Sequence, residues 1–573
     1  MFKKLKENKE MVFEILAILL IILYAVSLAP KTLQNDTYYT VKIGELITQS
    51  GIDFKDHFSW HEDLPYTYPH WLYDVIMYKI YSLGGWTGIY ISTCVFAAIL
   101  GICTYKVSSR LTDNKIVSFL VTIGSLYLIE SYIAARAQLV TFILFILLVY
   151  NIERFLKTKK FINVICLLII HVLIANLHVA VWPFTFVIYL PYIGEYLICE
   201  LIEMILYHKA GIFTLKNKLK SIEKEIRKKG SSEKLENKKI EITNKIKDLE
   251  QRAERIKQKR EENLKNPYKL KLEKNTNTRW LILIMIIAIL TGLCTPLKLT
   301  PYTYTFLTLQ GNTTQHINEH LPMTLINNVK FLCTIIIFLG LLTFTKVKIK
   351  LSDLFMIGGL AYLMLSSRRQ SSMFALIGTI ALTRIVTDMV KIYTGKDGKE
   401  ILKKNMTIFV AFVMSAIVSI MSINNFKEKR NNQYINESTY PVHAAEWILE
   451  NLNLENIKLY NEYNYGSYLL YKGIPVFIDS RADLYAPEFN KNTGGEENGR
   501  DIFSDFINSS NIGTYYGKIF ERYGITHILI KENSKINMLI KNADSEKYKL
   551  LYPTEEVDKE KDKNFVIYEI IKN

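Results

Sequence analysis

The sequence predicts a polytopic α-helical membrane protein with about eleven transmembrane helices, followed by a smaller α/β domain. Three observations support this fold class. Of the 573 residues, 49% are hydrophobic and only 22% are charged, and the apolar residues form runs long enough to cross a bilayer. Lys and Arg are concentrated in alternate loops. Beyond residue 423 the apolar runs become too short to span a membrane and alternate with amphipathic segments, as in a globular α/β domain.

Eleven apolar runs account for the spans. They cover roughly residues 12–30, 87–105, 116–132, 137–153, 161–178, 181–206, 279–296, 328–346, 351–367, 371–387 and 405–423. With eleven spans, six basic stretches fall on the same side of the membrane: the N-terminus, 106–115, 154–160, the insert after Tyr207, 346–350 and 391–404. Because cytoplasmic loops carry an excess of Lys and Arg, we expect a multi-pass plasma-membrane protein with a cytoplasmic N-terminus and an extracytoplasmic C-terminal domain.

Charge and cysteine usage exclude other classes. The net charge of +16 is explained by the basic loops and one charged insert, so a nucleic-acid partner is not predicted. All six cysteines lie in apolar segments or at their edges, which predicts neither a disulfide framework nor a cysteine zinc site. The predicted domains are residues 1–423, with an outer loop at 31–86 and a cytoplasmic insert at 208–278, and residues 424–573.

The insert is rich in Lys and Glu and carries apolar residues at helical spacing on both sides of Gly230. This pattern predicts a coiled-coil hairpin, serving either as a solvated spacer or as a docking site for a cytoplasmic partner. In the C-terminal domain we expect helices and strands to alternate, with a mainly parallel sheet. The predicted strands are 457–461, 475–479, 526–532 and 564–571, and the predicted helices are 443–452, 465–473, 515–524 and 534–543.

Polar residues gather at the predicted outer ends of the spans. Asp36 follows the first span, and three further clusters occupy loops on the same side. These are Arg136 with Gln138, Asn176 with His178, and Arg368 with Arg369. Ionisable groups near hydrocarbon are costly unless they are paired, which favours a functional site; the alternative for each arginine is contact with lipid phosphates.

These residue types suit the transfer of a sugar from a lipid phosphate. Arginine forks bind phosphate oxygens and remain charged. A carboxylate can remove the proton of an acceptor hydroxyl or amide as the sugar leaves its phosphate. We therefore expect Arg136 and Arg368 or Arg369 to bind the phosphate, and His57, His70, Asn176 and His178 to support the site.

The first loop, NDTYYTVKIGELI followed by DHFSWHEDLPYTYPHWLYDVIMYKIYSLGG, resembles the first outer loop of GT-C class glycosyltransferases. These use polyprenyl-phosphate sugars and include protein mannosyltransferases and the oligosaccharyltransferase catalytic subunit. The resemblance implies that Asp36 acts on a glycan or protein acceptor. Many protein mannosyltransferases have a second acidic residue where this chain has Thr37.

A second similarity lies in NEYNYGSYLLYKGIPVFIDSRADLY, which is laid out like the acceptor-binding region of oligosaccharyltransferases. The family motif, aromatic-Asp-Tyr-Gly, corresponds here to residues 463–466, with Asn464 in place of Asp. Tyr465, Asp479 and Arg481 are the candidate acceptor-side residues. Structural pairing of Asp479 with Arg481 or another neighbour is the alternative.

The same first loop holds candidate metal ligands. Imidazole and carboxylate groups suit divalent ions such as Mn²⁺, Mg²⁺ or Zn²⁺, although their spacing here matches no specific motif. The alternative is hydrogen bonding within a packed loop. The candidate ligands are Asp56, His57, His61, Glu62 and His70.

Two other functions fit the sequence. A transporter or flippase of lipid-linked glycans would carry polar residues through the depth of its spans and show internal repeats. An inactive scaffold of an envelope-assembly complex would depend on the cytoplasmic hairpin and the outer domain.

Overall fold

The computed structural model describes residues 9–206, 209–230, 232–263, 269–311, 313–395, 406–491, 499–554 and 562–571, most of which are helical. The helices of eight or more residues are α1 (Lys9–Leu28), α2 (Asn35–Ser50), α3 (Trp71–Thr112), α4 (Lys115–Leu128), α5 (Ala137–Thr158), α6 (Phe161–Leu177), α7 (Leu190–Leu206), α8 (Lys209–Lys229), α9 (Glu233–Asn263), α10 (Thr278–Ile289), α11 (Thr300–Gln310), α12 (Val329–Phe344), α13 (Leu351–Ser366), α14 (Ser371–Thr394), α15 (Met406–Lys429), α16 (Val442–Asn451), α17 (Tyr463–Tyr471), α18 (Ile502–Ser510), α19 (Tyr516–Tyr523) and α20 (Lys535–Ala543). The strands are β1 (Leu270–Lys271), β2 (Ile349–Lys350), β3 (Leu459–Tyr460), β4 (His527–Lys531), β5 (Tyr548–Tyr552) and β6 (Phe565–Ile570).

Within the described ranges, five helical segments are long and apolar enough to cross a membrane. They are Glu10–Leu28, Trp71–Thr112, Ala137–Thr158, Val179–Ile205 and Arg368–Thr394. Five other predicted spans form apolar helices of only 10–17 residues. The eleventh predicted span, 405–423, begins just outside the described residues.

The surface of α1 shows how such a helix meets its surroundings. Ile15, Leu19 and Leu23 recur every fourth residue and are 45%, 59% and 38% exposed, whereas Ile21 and Ala25 on the other face are fully buried. A helix that is apolar on both its packed face and its exposed face is typical of a membrane span, because lipid covers the exposed side chains.

The segment between α1 and the spanning part of α3 is largely helical. Gly44 of α2 lies against the start of α3: a Cβ added there would be 2.0 Å from the main-chain oxygen of Asp74. The two helices therefore approach more closely than any larger residue would permit. Gly85 has φ 56° and ψ −150°, which interrupts α3. Residues 71–84 are thus separated from the helix that follows.

The charged insert forms the predicted hairpin of α8 and α9. Ile246 is buried in the seam between them, and Lys216 Nζ lies 2.8 Å from Glu250 Oε1 across it. β1 pairs with β2 in parallel, which fastens the chain after the hairpin to the loop before α13. Asn275 and Asn277 donate their side-chain N–H groups to the Leu156 carbonyl near the end of α5.

The C-terminal segment contains a four-stranded sheet in the order β3-β4-β6-β5. β3 and β4 are parallel, but β4–β6 and β5–β6 are antiparallel, so the prediction of a mainly parallel sheet is wrong. The error has two causes. β5 was not predicted, and residues 475–479 do not join the sheet. Val476 instead forms an isolated parallel bridge with Ser59 of the first loop.

Candidate functional site

A cavity of about 1200 Å³ lies between the ends of the apolar helices and the C-terminal segment. Its walls come from stretches far apart in the sequence. The helical side of the cavity is formed by the start of α2, the residue before α3, the start of α5 and the residue after α6. It also includes α11 with the loop after it and the α13–α14 turn. The opposite side is formed by residues around 462–464, 480–484 and 531–535.

The helical side of the cavity is built around one arginine shared by two carboxylates. Arg136, just before α5, has its Nε 2.9 Å from Asp36 Oδ2 in the first turn of α2. This contact is an ion pair without hydrogen-bond geometry, since the buried Nε–H has no aligned acceptor. Arg136 Nη1 donates to Glu319 Oε1 at 2.8 Å. Burial raises the pKa of Glu319, but the charges of Arg136 and Arg369 outweigh it, so the net pKa is lowered and Glu319 is ionised.

The two adjacent arginines of the α13–α14 turn have different environments. Arg369 lines the cavity, and its main-chain N–H donates to the Glu319 carbonyl at 2.8 Å. Its guanidinium forms no hydrogen bond or ion pair with any residue that the structure describes. Arg368 does not line the cavity, and its exposed Nε approaches the Pro322 carbonyl at 3.4 Å. The cavity therefore receives one unpaired guanidinium from this turn.

Two histidines and a glutamine form the adjoining wall. The rings of His70 and His178 lie 4.8 Å apart, edge to face. His178 is 1% exposed and its Nε2 has no hydrogen-bond partner. Burial, together with the charges of Arg369 and Arg136, lowers the pKa of His70 to about 3, so this ring is neutral at pH 7. Gln138 also lines the cavity and is mostly buried.

Besides Arg368, four residues predicted for the site lie outside the cavity lining: Asn176, His57, Tyr465 and Asp479. Asn176 accepts from Trp71 Nε1 at 3.1 Å and donates to the Cys294 carbonyl at 3.0 Å, so it links helices. His57 is exposed and pairs with a neighbouring carboxylate in its own loop. Tyr465 is fully buried and donates its hydroxyl to the Leu529 carbonyl at 2.7 Å, so its role is in the core of the C-terminal segment.

Asp479 and Arg481 form a buried clamp. Arg481 reaches Asp479 with Nε (2.9 Å) and Nη2 (2.7 Å), and Nη1 reaches Asp56 Oδ1 of the first loop at 2.6 Å. The side chains of Arg481 and Asp56 are 2% and 0% exposed. Burial raises the pKa of Asp56. The charge of Arg481 and the hydrogen bonds from Arg481 and Ser59 outweigh this effect, so the net pKa of Asp56 is lowered. Asp479 and Arg481 therefore form the structural pair that was the alternative to an acceptor-side role. Arg481 also contributes to the cavity wall.

Three of the candidate metal ligands of the first loop, Asp56, His57 and His61, have separate partners. Asp56 is held by Arg481 and Ser59, while His61 Nε2 donates to the Phe477 carbonyl at 2.8 Å. The described residues contain no group of three or more His, Cys, Asp or Glu side chains placed to hold a metal ion. Asp56 and His61 are thus already occupied in this arrangement, and the divalent metal stays a prediction.

Several cavity residues were missed by the sequence reasoning. Glu319 and His320 belong to QHINEHLP, a stretch dense in ionisable groups between α11 and α12, and that density was an available signal. Asp483 is half-buried and accepts a hydrogen bond from Tyr304 of α11; burial raises the pKa of Asp483. Tyr463 lines the cavity, and its carbonyl accepts from the Asn35 side chain at 3.0 Å. No sequence signal distinguishes these last residues from core tyrosines and aspartates.

The described chain is thus mostly helical, with five segments able to cross a membrane, as expected of a helical membrane protein. No protein-family model and no curated protein matches the sequence. The case for a function therefore depends on the cavity.

Proposed function

We propose that this protein is an integral membrane glycosyltransferase that moves a sugar from a polyprenyl-phosphate donor to a glycan or protein acceptor at the outer face of the plasma membrane. The observation that carries the proposal is the grouping of Asp36, Arg136 and Arg369 around one cavity at the ends of apolar helices. The proposal includes a GT-C-like architecture of eleven spans, a cytoplasmic N-terminus and an outer domain at residues 424–573.

The position of the arginines supports a lipid-linked donor. Arg136 directly precedes the 22-residue α5, and Arg369 lies just before α14, so both are at the boundary of apolar helices where lipid phosphates lie. The cavity wall also includes apolar side chains. Leu309 is 71% exposed and lines the cavity together with Leu363, while Tyr362 beside it is 71% exposed. An isoprenoid chain can cover this apolar surface while its phosphate reaches the arginines.

The transfer reaction can be written from these groups. Arg369 holds the donor phosphate, and the acceptor hydroxyl or amide lies between the sugar and Asp36. The acceptor attacks the sugar carbon as the bond from that carbon to the phosphate oxygen breaks. The bonding electrons stay on the phosphate, and the acceptor proton passes to the Asp36 carboxylate.

The test is mass spectrometry of envelope glycans and glycoproteins from cells with the native protein, an Asp36→Asn variant, or no copy. We expect the variant and the deletion to lose the same sugar while the variant protein still accumulates in the membrane. The matched control is Asp63→Asn, since Asp63 is exposed in the same loop and its φ of 60° suits asparagine. This control should keep the modification.

One result would redirect the proposal. If the sugar is lost only in the deletion strain, and the Asp36→Asn strain keeps the full modification, Asp36 is not part of the mechanism and the transporter or scaffold functions are favoured.

A further inference from the structure

The two helices of the charged hairpin differ in net charge. α8 carries eight Lys and Arg but only two Glu, whereas α9 carries ten Lys and Arg and eight Asp and Glu. Ion pairs across the seam join Lys216 to Glu250 at 2.8 Å and Glu223 to Lys239 at 3.6 Å. α9 is therefore nearly neutral, and the positive charge of the hairpin is concentrated on α8.

Part of this charge forms a line along one face of α8. Phe213, Lys220, Lys224 and Arg227 are separated by seven, four and three positions, so they share one face of the helix. All four side chains are exposed, and Phe213 is 67% exposed. The three cations form no ion pair with any residue that the structure describes. We call these four residues the basic face.

The basic face begins close to a membrane span. α7 ends the apolar segment Val179–Ile205, and only two residues separate α7 from α8. Met204 and Ile205 are 47% and 61% exposed, as expected of side chains that lipid covers. Phe213 follows Ile205 by eight residues, which corresponds to about 12 Å of helix. The start of the basic face is therefore within reach of the lipid headgroups.

We propose that the basic face binds anionic phospholipid headgroups of the leaflet at which α7 ends, so that α8 lies along the membrane surface. Basic residues clustered beside a span attract anionic lipids, and each Lys or Arg adds to the affinity. Their long side chains reach the phosphates while an aromatic ring such as that of Phe213 enters the boundary of the acyl chains. With the topology proposed above, this is the cytoplasmic leaflet. The proposal does not depend on the transferase function.

A membrane fits this face better than a protein partner does. The centre of a protein–protein interface is depleted of charged residues and enriched in aromatic and other large side chains. The basic face instead consists of three cations and one phenylalanine, which is placed at the end nearest the span. Headgroup binding requires only this charge and the proximity of the bilayer.

The experiment places the photo-crosslinking amino acid benzoylphenylalanine at position 217 of the full-length protein. Asn217 is exposed and flanks the basic face. The control position is Gln251 of α9, which is also exposed. It lies at the same level of the hairpin, because the adjacent Glu250 pairs with Lys216. The protein is placed in nanodiscs of phosphatidylcholine, alone or mixed with phosphatidylglycerol, and mass spectrometry after illumination measures the fraction that carries a phospholipid adduct.

In the mixed nanodiscs we expect at least fivefold more lipid adduct from position 217 than from position 251. The yield from position 217 should fall at least fivefold in phosphatidylcholine alone, and it should also fall in about 0.5 M KCl because salt screens the charges. Combining Lys220→Gln, Lys224→Gln and Arg227→Gln should lower it to the same extent.

The matched control for these substitutions combines Lys234→Gln, Lys238→Gln and Lys247→Gln. It removes the same charge from exposed positions of α9 and should leave the yield within about twofold of the native one. Thermal melting of each variant checks that it is folded.

Three results would overturn the proposal. The first is an equal lipid yield from positions 217 and 251, which would mean that the hairpin has no preferred side toward the membrane. The second is a yield from position 217 that does not depend on phosphatidylglycerol. The third is a protein adduct at position 217 in native membranes without the lipid adduct in nanodiscs, which would favour an acidic protein as the partner of the basic face.

Discussion

Substituting Arg481 by Gln is expected to loosen the contact between the first loop and the C-terminal segment. The native guanidinium makes three polar contacts of 2.6–2.9 Å with Asp56 and Asp479. Glutamine would leave two carboxylates facing each other without a counter-charge. Removing one partner of a buried ion pair destabilises a protein by about 3–5 kcal/mol. At about 1.4 kcal/mol per tenfold change, this corresponds to a drop of roughly two to four orders of magnitude in the local protection against hydrogen exchange.

The assay is hydrogen–deuterium exchange of the purified protein, read in peptides covering 54–66 and 474–486. The control is Arg522→Gln, because Arg522 is 61% exposed and binds a single carboxylate at the surface. Exposed pairs of this kind contribute about 0–1 kcal/mol, so the control should change exchange less than tenfold. Changing Asp56 and Asp479 to Asn in the Arg481→Gln background should restore part of the protection. A change of less than tenfold in the Arg481→Gln variant would refute the reasoning.

Three further predictions concern stability and domain function. Burial lowers the pKa of His61 to about 4 from an ordinary value of 6.5. The stability contributed by the neutral, buried His61 is therefore fully present above pH 6.5 and falls by about 3 kcal/mol as the pH drops to 4. The melting temperature of His61→Gln should change less with pH over that window than that of the native protein. An equal pH dependence in the two proteins would contradict this. Gly44→Ala should lower the melting temperature, because overpacking costs about 1–3 kcal/mol. Gly84→Ala is the control and should not lower it, because the space around Gly84 is open. Equal melting temperatures for the two variants would show that α2 is not tightly packed on α3. Deleting residues 214–263 should leave sugar transfer largely intact, because the hairpin does not line the cavity; loss of the modification with the protein still in the membrane would favour the scaffold.

The sequence predicts best what depends on local periodicity. The hairpin follows from apolar residues that recur at helical spacing on two neighbouring segments, and α8 and α9 pair along that seam. The predicted spans at 137–153 and 371–387 fall within α5 and α14 for the same reason. The length of each apolar run was less informative, since several predicted spans form helices shorter than a bilayer requires.

Properties that depend on distant contacts were harder to predict. The sheet order depends on which strands meet, and Val476 pairs with Ser59 more than 400 residues earlier in the chain. Arg368 and Arg369 are equivalent in sequence, yet only one of them lines the cavity. The pairing of Glu319 with Arg136 joins residues 183 positions apart. Without an observed contact, the sequence predicts part of the cavity lining, including Asp36, Arg136 and Arg369, but not Glu319, Tyr463 or Asp483.

The position of Asp36 depends on both halves of the molecule. α2, which carries it, packs on α3 at Gly44. Its neighbour Asn35 donates to the Tyr463 carbonyl in the C-terminal segment, and the loop that follows α2 is fastened to that segment through Asp56 and Arg481. The carboxylate is therefore held from two directions, and the cavity exists only where the helices and the C-terminal segment meet. It follows that loosening the Arg481 clamp should also disturb the geometry at Asp36, because the same loop connects them.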